Sequence, residues 1–355
     1  MNNKAPRILF IPVSSPSGSG EYFRSLILAD ELCRLYPKSE VHFILNKNVT
    51  YKNNCPFQVH LSEQSATKNT PKVKQVIQQV KPHLVIFDCS GRGSQFKFAK
   101  RMGAKVVFIS QHIKKRAKGL KLNRLLHCDA HWVVQPDYAI SPLSKIERLK
   151  LKLFNKSAPL NVGPVLSNNR EELNDSILSK YKLAREEYII FSAGSGSHVK
   201  NGGLAADLFY SAALSVSKIT KLKCVMVFGI NYPKPLPEDG SVLCIRSLPY
   251  KEFSQLISLA KGLVVSAGDT LLQAISLKRP CVSVAVAKDQ PHRLLCCANE
   301  KLVLAAQLNE DDILEKTKSL LEPMVAEQLQ ERMNRLTDID GREIVIKGIC
   351  ELIES

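Results

Sequence analysis

Short apolar runs alternate with amphipathic stretches of helical length, and this alternation constrains the fold of the chain more than any other feature. The first set of runs comprises RILFIPV (7–13), VHFILN (41–46), HLVIFDC (83–89), KVVFIS (105–110) and AHWVVQP (130–136). Continuous apolar runs of this length predict strands that are buried on both faces. Because the runs alternate with helical stretches, they predict a parallel sheet with helices on both of its faces.

The same alternation starts again after NVGPVLSNN (161–169), a segment rich in Pro, Gly and Asn that predicts a linker. The second set of runs comprises EYIIFSAG (187–194), CVMVFGI (224–230), SVLCIR (241–246), GLVVSAG (262–268) and PCVSVAV (280–286). A chain of 355 residues is long enough to bury two cores. We therefore expect an α/β protein of two doubly wound, Rossmann-like domains that face a cleft.

The restart of the alternation also predicts the domain boundaries. We expect an N-terminal domain over residues 1–162 and a C-terminal domain over residues 163–335. Residues 336–355 end in an amphipathic stretch, which predicts a C-terminal helix with a face able to pack back on the N-terminal domain.

The excess of positive charge lies entirely in the first part of the chain. Residues 1–152 contain 26 Lys and Arg against 9 Asp and Glu, whereas the remainder contains 24 of each kind. This excess of positive charge in one domain favours an anionic partner for the N-terminal domain, such as an acidic membrane surface, an acidic substrate or a nucleic acid.

Two segments carry most of this positive charge, HIKKRAKGLKLNR (112–124) and SKIERLKLKLFNK (144–156). In the second, one helical face would carry Ile146, Leu149, Leu153 and Phe154. This pattern is typical of a helix that packs this face on a core, and also of a helix that docks to an anionic membrane leaflet. The segments lack the interleaved aromatic residues that stack on bases, so we expect no nucleic-acid partner.

Cysteine usage and hydropathy predict a cytoplasmic protein. The ten cysteines are scattered, with no Cys-x-x-Cys pair, which is typical of a reducing compartment. The sequence has no run of eighteen apolar residues, and its N-terminus does not resemble a secretory signal peptide. His, Cys and Asp residues show no metal-ligand spacing, so we expect no metal site.

Polar residues follow several strands of the second half, where ligands of open α/β sheets bind. The loop from Gly194 to Ser197 could turn backbone N–H groups toward an anion, or could be only a tight connection. Helix capping and tight turns would explain the polar residues after any one of these strands. Polar residues after several neighbouring strands together suit a nucleotide-sugar pocket. The candidate donor-binding residues are Gly194, Ser195, Gly196, Ser197, Ser266, Gly268, Asp269, Thr270, Asp289 and Gln290, with His198 and His292 close by in sequence.

These motifs resemble those of nucleotide-sugar enzymes with the GT-B fold, and the resemblance spans both halves of the chain. Ser266–Thr270 with Asp289–Gln290 is similar to the donor motif of the GlcNAc transferase that makes peptidoglycan lipid II, and of the UDP-sugar hydrolase of pseudaminic acid synthesis. The resemblance implies a UDP-sugar or a CMP-sugar co-substrate and no other cofactor. It implies that Leu248 lies near the nucleotide base, and that Gln273 stands where these families usually place a ribose-binding glutamate.

The first loop, Gly18-Ser19-Gly20-Glu21-Tyr22-Phe23-Arg24, resembles the Gly-x-Gly-His-x-x-Arg motif of that hydrolase, with Glu21 in place of the histidine. A similar glutamate is the base in the transferase that adds Kdo to lipid A. The resemblance implies that Glu21 deprotonates an acceptor hydroxyl during inverting transfer. A glutamate at a helix N-terminus also interacts favourably with the helix dipole, which is the simpler interpretation.

Further residues are predicted to bind the acceptor. They are Gly18, Ser19, Gly20 and Arg24 of the first loop, and Asp88 and His112, which follow the next strands. Asp88 could instead orient the loops, and a lone histidine such as His112 is often only hydrogen-bonded locally.

Three functions remain open at this point. The favoured one is an inverting glycosyltransferase of cell-surface polysaccharide synthesis, peripheral on the inner face of the cytoplasmic membrane, with a lipid-linked or anionic glycan as acceptor. The second is a nucleotide-sugar hydrolase in which Glu21 activates water. The third is a non-catalytic binding protein with a GT-B-like fold, to which Gln273 and the missing histidine would point.

Overall fold

The computed structural model describes residues 5–15, 18–167, 176–200, 202–238, 240–336 and 341–355. The chain divides into two compact units, Met1–Leu166 together with Ile339–Ser355, and Ser167–Asp338. Pro16 and Ser17, which directly precede the predicted first loop, lie outside the described residues. So do residues 168–169 of the predicted linker and residues 337–340 before the C-terminal helix.

The first unit is built on a seven-stranded sheet whose neighbouring strands are all parallel. Its strands are β1 (Arg7–Pro12), β2 (Glu40–Asn46), β3 (Gln58–Ser62), β4 (Leu84–Asp88), β5 (Lys105–Ser110), β6 (Ala130–Val133) and β7 (Leu160–Asn161). The spatial order is β3-β2-β1-β4-β5-β6-β7, which is the order of a Rossmann fold with one strand added at the edge.

The described helices of the first unit connect these strands. They are α1 (Gly20–Leu35), α2 (Thr70–Val80), α3 (Gly93–Arg101), α4 (Ile113–Gly119), α5 (Leu122–Leu125) and α6 (Lys145–Leu153), with short 3-10 helices at Thr50–Asn54 and Asp137–Ala139.

The second unit repeats this architecture with a six-stranded parallel sheet and a two-stranded hairpin. The sheet strands are β8 (Tyr188–Ser192), β11 (Lys223–Val227), β12 (Val242–Ile245), β13 (Gly262–Ser266), β14 (Cys281–Val284) and β15 (Leu304–Ala306); the hairpin pairs β9 (Val199–Lys200) with β10 (Gly203–Leu204). The sheet order β12-β11-β8-β13-β14-β15 is again that of a Rossmann fold.

Seven described helices belong to the second unit and one more belongs to the first. Those of the second unit are α7 (Ser176–Tyr181), α8 (Ala205–Ile219), α9 (Tyr250–Leu259), α10 (Asp269–Ser276), α11 (Gln290–Asn299), α12 (Glu310–Leu321) and α13 (Pro323–Asn334). The last helix, α14 (Gly341–Glu354), packs on α1 of the first unit. There the Tyr36 hydroxyl donates a hydrogen bond to Glu354 at 3.3 Å.

The prediction of two Rossmann-like α/β domains is confirmed. The apolar runs of the sequence form the central strands because both faces of each strand are covered by helices. In the first unit, for example, Phe87 of β4 and Phe108 of β5 both pack against Phe96 of α3. Burial on both faces is what makes each run continuously apolar.

Each sheet has a point at which its strand order reverses, between β1 and β4 in the first unit and between β8 and β13 in the second. Asp88, the last residue of β4, lies opposite Pro12 at the end of β1. In the second unit Val265 of β13 lies opposite Ser192, the last residue of β8. The loops that follow these four strands therefore leave the sheets side by side, at the places where such folds bind ligands.

The basic segment around α6 does not pack its apolar stripe on the core. Of the residues of α6 only Leu151 is buried, in a small cluster with Leu120 and Leu125. The alternative in which Ile146, Leu149, Leu153 and Phe154 face the core is therefore wrong, because all four side chains are exposed. Separately, none of the helices in the described part of the chain is long and apolar enough to cross a membrane.

Candidate functional site

In the first unit the predicted base, Glu21, lies in the first turn of α1, directly after the loop that follows β1. The N-cap of α1 is Ser19, whose side chain makes no capping hydrogen bond, and Glu21 is half-buried. Burial, and then the negative charge of Glu21, raise the pKa of Tyr51. Glu21 also contributes, after burial and Asp88, to a raised pKa of Cys89. Glu21 therefore interacts electrostatically with Tyr51 and Cys89.

Two other predicted acceptor-binding residues, Arg24 and Asp88, are joined in a buried ion pair. Arg24 Nε donates to Asp88 Oδ2 and Arg24 Nη2 donates to Asp88 Oδ1, both at 2.8 Å. The Arg24 side chain is 4% exposed and that of Asp88 is 0% exposed. The pair joins the first two turns of α1, which include Glu21, to the end of β4.

A cation that sequence reasoning missed lies at the same edge of the sheet. Lys115, in the first turn of α4, donates from Nζ to the backbone carbonyl of Cys89 at 2.6 Å. Cys89 itself has a φ of 55°, so the chain turns sharply after β4. The sequence showed Lys115 only as one of many lysines, because its contact with Cys89 depends on how α4 packs beside β4.

The remaining predicted residues of the first unit lie at the same edge. The backbone carbonyl of Gly18 accepts a hydrogen bond from Tyr51 at 3.5 Å, and Gly20 begins α1. His112 is the N-cap of α4, after β5, and is half-buried. The segments that follow β1 and β5 thus carry the carboxylate of Glu21, the imidazole of His112 and the ammonium group of Lys115. Groups of these kinds are suited to proton transfer and to charge stabilisation.

In the second unit the predicted phosphate loop packs against the loop that follows β11. Gly194, Gly196 and Gly229 have φ angles of 85°, 92° and 102°, which other residues rarely adopt. A Cβ atom on Gly229 would lie 2.3 Å from the carbonyl oxygen of Gly194. The backbone amide of Asn231 donates a hydrogen bond to the backbone carbonyl of Ser195 at 2.8 Å. Only glycines allow these two loops to approach so closely.

The same loop reaches the end of β13. A Cβ atom on Gly194 would lie 3.0 Å from Ser266 Oγ, so the predicted loop after β8 lies beside the last residue of β13. Ser197, the last residue of the predicted loop, is half-buried. Gly268 is the N-cap of α10 and makes no side-chain cap, and Asp269 and Thr270 follow it in the first turn. The arrangement leaves a helix N-terminus beside the Gly/Ser loop, which suits a phosphate.

Gln290 and Arg293 of α11 hold two loops of the second unit, the one after β14 and the one between β13 and α10. Gln290 Oε1 accepts hydrogen bonds from the amides of Val286 at 2.8 Å and Ala287 at 3.2 Å, so this predicted donor-binding residue holds the loop after β14. The buried Arg293 donates to the carbonyl of Ala267 at 2.9 Å and lies 3.8 Å from Asp269. Sequence reasoning missed Arg293, whose contacts join α11 to the start of α10.

Other predicted residues border this cluster. Burial lowers the pKa of His198, and the charge of exposed Asp289 opposes that shift, so the two side chains interact electrostatically. Gln273 is half-buried on α10, one turn after Asp269. Leu248 lies between β12 and α9, two strands from β8, and is half-buried, whereas His292 is exposed on α11.

A cavity of about 420 Å³ opens at the carboxyl ends of β14 and β15. Its lining residues are Lys200, Ala285, Ala306, Gln307, Leu308 and Asn309. Lys200 follows His198 by two residues, so the cavity adjoins the His198 and Asp289 side of the cluster. It does not include the Gly/Ser loop or the start of α10. In the described ranges, no group of three His, Cys, Asp or Glu side chains could hold a metal ion.

No protein-family model matches the chain, and no curated protein matches it by sequence. Solved structures do match it over almost its whole length. The glycotransferase of kitacinnamycin superposes with a TM-score of 0.67 at 14% identity, covering 99% of this chain and 100% of that chain. Phytolacca americana UGT2, in complex with UDP-2-fluoro-glucose and pterostilbene, superposes with a TM-score of 0.63 at 12% identity. This match covers 99% of this chain and 100% of that chain.

The chain has a GT-B fold. The putative UDP-N-acetylglucosamine 2-epimerase of Listeria monocytogenes is similar as well, with a TM-score of 0.62 at 12% identity and coverage of 99% of this chain and 97% of that chain. At such identities the likeness concerns the fold, and a GT-B fold can carry different chemistries on nucleotide sugars. The activity must therefore be inferred from the residues at the strand ends.

Proposed function

We propose that this GT-B protein is an inverting glycosyltransferase that uses a nucleotide sugar, with Glu21 as the general base. In this proposal the second unit binds the donor, and the first unit carries the base and binds the acceptor. The observation that carries the proposal is the position of both polar clusters at the reversal points of their Rossmann sheets, where such folds bind ligands.

The donor cluster is suited to a diphosphate. The Gly194–Ser197 loop and the N-terminus of α10 offer backbone N–H groups at adjacent strand ends, and they can neutralise a leaving nucleotide without a metal ion. The half-buried amide of Gln273, one turn into α10, would bind the ribose. UDP is the favoured nucleotide, supported by the UDP-2-fluoro-glucose in Phytolacca americana UGT2, and CMP is the alternative.

Glu21 is suited to deprotonate an acceptor hydroxyl. It lies in the first turn of α1, and the Arg24–Asp88 pair, which holds this helix to β4, supports a defined position of the helix start at the edge of the sheet. Gly18 and Gly20 allow a substrate to approach the backbone beside it. An inverting transfer needs one such base.

We propose a lipid-linked or anionic glycan as the acceptor, and a place on the cytoplasmic face of a membrane. Two features support this: the excess positive charge lies within residues 1–152, and all ten cysteines are free thiols, as in a reducing compartment. A product destined for a cell-surface polysaccharide would be consistent with such an acceptor.

The proposal is tested by incubating the purified chain with UDP-, CMP- and GDP-sugars, with and without a lipid-glycan extract, and measuring nucleotide release. The expected result is release from one class of donor only when the extract is present. Equal release without extract would show hydrolysis instead. Nucleotide binding without release from any donor would favour a non-catalytic role.

A further inference from the structure

Exposed apolar side chains are concentrated in the basic part of the first unit. Among the described residues fourteen large apolar side chains are exposed, and seven of them lie between residues 122 and 160. These seven are Leu122, Leu126, Ile146, Leu149, Leu153, Phe154 and Leu160. Single exposed apolar residues need no explanation, but a cluster of this kind marks an interaction surface.

Three of these side chains form a stripe along the outer side of α6. Ile146 is 74% exposed, Leu149 is 57% exposed and Leu153 is 71% exposed. Because successive helical residues are turned by about 100°, these three lie on one side of α6, and the buried Leu151 lies roughly opposite. The stripe is therefore directed away from the core on which α6 is anchored.

Basic residues border the stripe. Lys145 and Lys152 are exposed on one side of it, and Lys150, on the other side, donates from Nζ to the carbonyl of Leu120 at 3.3 Å. Between residues 112 and 156 the sequence has eleven Lys and Arg against three Asp and Glu. Of the acidic residues, Glu147 is held by the capping box of α6 and lies 3.8 Å from Arg116.

We propose that α6 docks on an anionic lipid bilayer, with Ile146, Leu149 and Leu153 entering the interface and the bordering lysines binding the lipid headgroups. An exposed apolar stripe between basic residues is the arrangement of helices that lie in a membrane interface. The net positive charge favours anionic lipid over a second copy of the same chain, because two such basic surfaces would repel each other. This surface does not depend on the proposed activity.

The proposal is tested by co-sedimenting the full chain with phosphatidylcholine vesicles, with or without phosphatidylglycerol, in the absence of any sugar donor. One variant combines Ile146→Gln, Leu149→Gln and Leu153→Gln, since glutamine preserves helix propensity. A second combines Lys145→Glu and Lys152→Glu. The matched control combines Ile219→Gln, Leu295→Gln and Met324→Gln, three exposed apolar residues of the second unit.

The native chain and the control should bind the anionic vesicles, and less strongly at high salt. The glutamine variant should bind at least about tenfold more weakly, because the apolar burial is lost. The charge-reversal variant should also bind about tenfold or more weakly. Circular dichroism would verify that the variants are folded.

Three results would overturn the proposal. The first is equal binding by the native chain and the glutamine variant, and the second is no vesicle binding by the native chain. The third is a native dimer in light scattering that becomes a monomer in the glutamine variant, which would assign the stripe to a protein contact. Nucleotide release measured on the same samples reports separately on the proposed activity.

Discussion

Arg24 and Asp88 form a two-fold hydrogen-bonded ion pair that is almost completely buried, with both N···O distances at 2.8 Å. The pair joins α1, the helix that carries Glu21, to β4, the strand that precedes Cys89. The carbonyl of Cys89 in turn accepts a hydrogen bond from Lys115. Its removal should therefore affect both the stability of the first unit and the position of the proposed base.

We expect Asp88→Asn to lower the free energy of unfolding by about 3–5 kcal/mol, because the buried guanidinium of Arg24 loses its countercharge. Urea denaturation followed by circular dichroism measures this. The matched control is Arg34→Ala on the same helix, where Arg34 makes an exposed pair with Glu31. The control should cost no more than about 1 kcal/mol. Equal losses for the two variants would contradict a structural role of the buried pair.

The close packing of the loops after β8 and β11 predicts a large effect of Gly229→Ala. The added Cβ would lie 2.3 Å from backbone atoms of Gly194 and Ser195. Gly202→Ala is the control, because Gly202 has a similar φ of 81° but no heavy atom within 4 Å of its Cβ position. Backbone strain should cost each variant about 1–2 kcal/mol.

The clash should cost Gly229→Ala a further 1–3 kcal/mol or so, and should weaken UDP binding as well. Urea denaturation and calorimetry measure the two effects. If both glycine variants lost the same stability and bound UDP equally well, the loop contact would be unimportant.

His131 predicts a pH dependence of stability. Its ring is hydrogen-bonded to Ser110 Oγ at 2.9 Å, and burial, with smaller contributions from Arg116 and Arg124, lowers its pKa from 6.5 to about 3. Below pH 6.5 the unfolded chain therefore binds a proton that the folded chain does not. His131 should thus destabilise the fold progressively as the pH falls from 6.5 toward 3.

We expect His131→Gln to remove this contribution, which has a limiting slope of about 1.4 kcal/mol per pH unit. Urea denaturation at a series of pH values between about 6 and 4 compares the slopes of the variant and the native chain. An unchanged slope in His131→Gln would mean that the ring can be protonated without unfolding.

The proposed contact of Gln273 with the ribose predicts that substitutions of this residue change the affinity for UDP. If its amide binds the ribose, Gln273→Glu should strengthen UDP binding about fivefold, because hydrogen bonds to a carboxylate are stronger. Gln273→Leu should weaken UDP binding to a similar degree. Isothermal titration calorimetry measures both, with the exposed Gln328→Glu as control. Unchanged dissociation constants in both Gln273 variants would place the ribose elsewhere.

The sequence predicts the central strands well because they are buried on both faces and hence continuously apolar. β3 and β15 were not predicted, because they are not buried on both faces and are not continuously apolar. Only Ser62 of β3 is buried, and β15 has three residues, two of them alanine. The order of the strands depends on packing between distant segments, which periodicity does not contain.

The candidate site was predictable only as a set of loops. Gly268 and Asp269 follow a strand in the sequence as they do in the structure, where Ser266 is the last residue of that strand. The contacts of Lys115 and Arg293 join helices that are remote from those loops in sequence, so their positions were not predictable. The apolar stripe of α6 had two interpretations, and only the exposure of its side chains distinguishes them.

The most direct test of the proposed mechanism is the rate of acceptor-dependent nucleotide release by Glu21→Gln, with Glu31→Gln on the same helix as control. The proposal predicts a rate that is lower by about 100-fold or more, with unchanged UDP affinity and a native rate in the control. A Glu21→Gln variant that releases nucleotide at the native rate would contradict the assignment of Glu21 as the base.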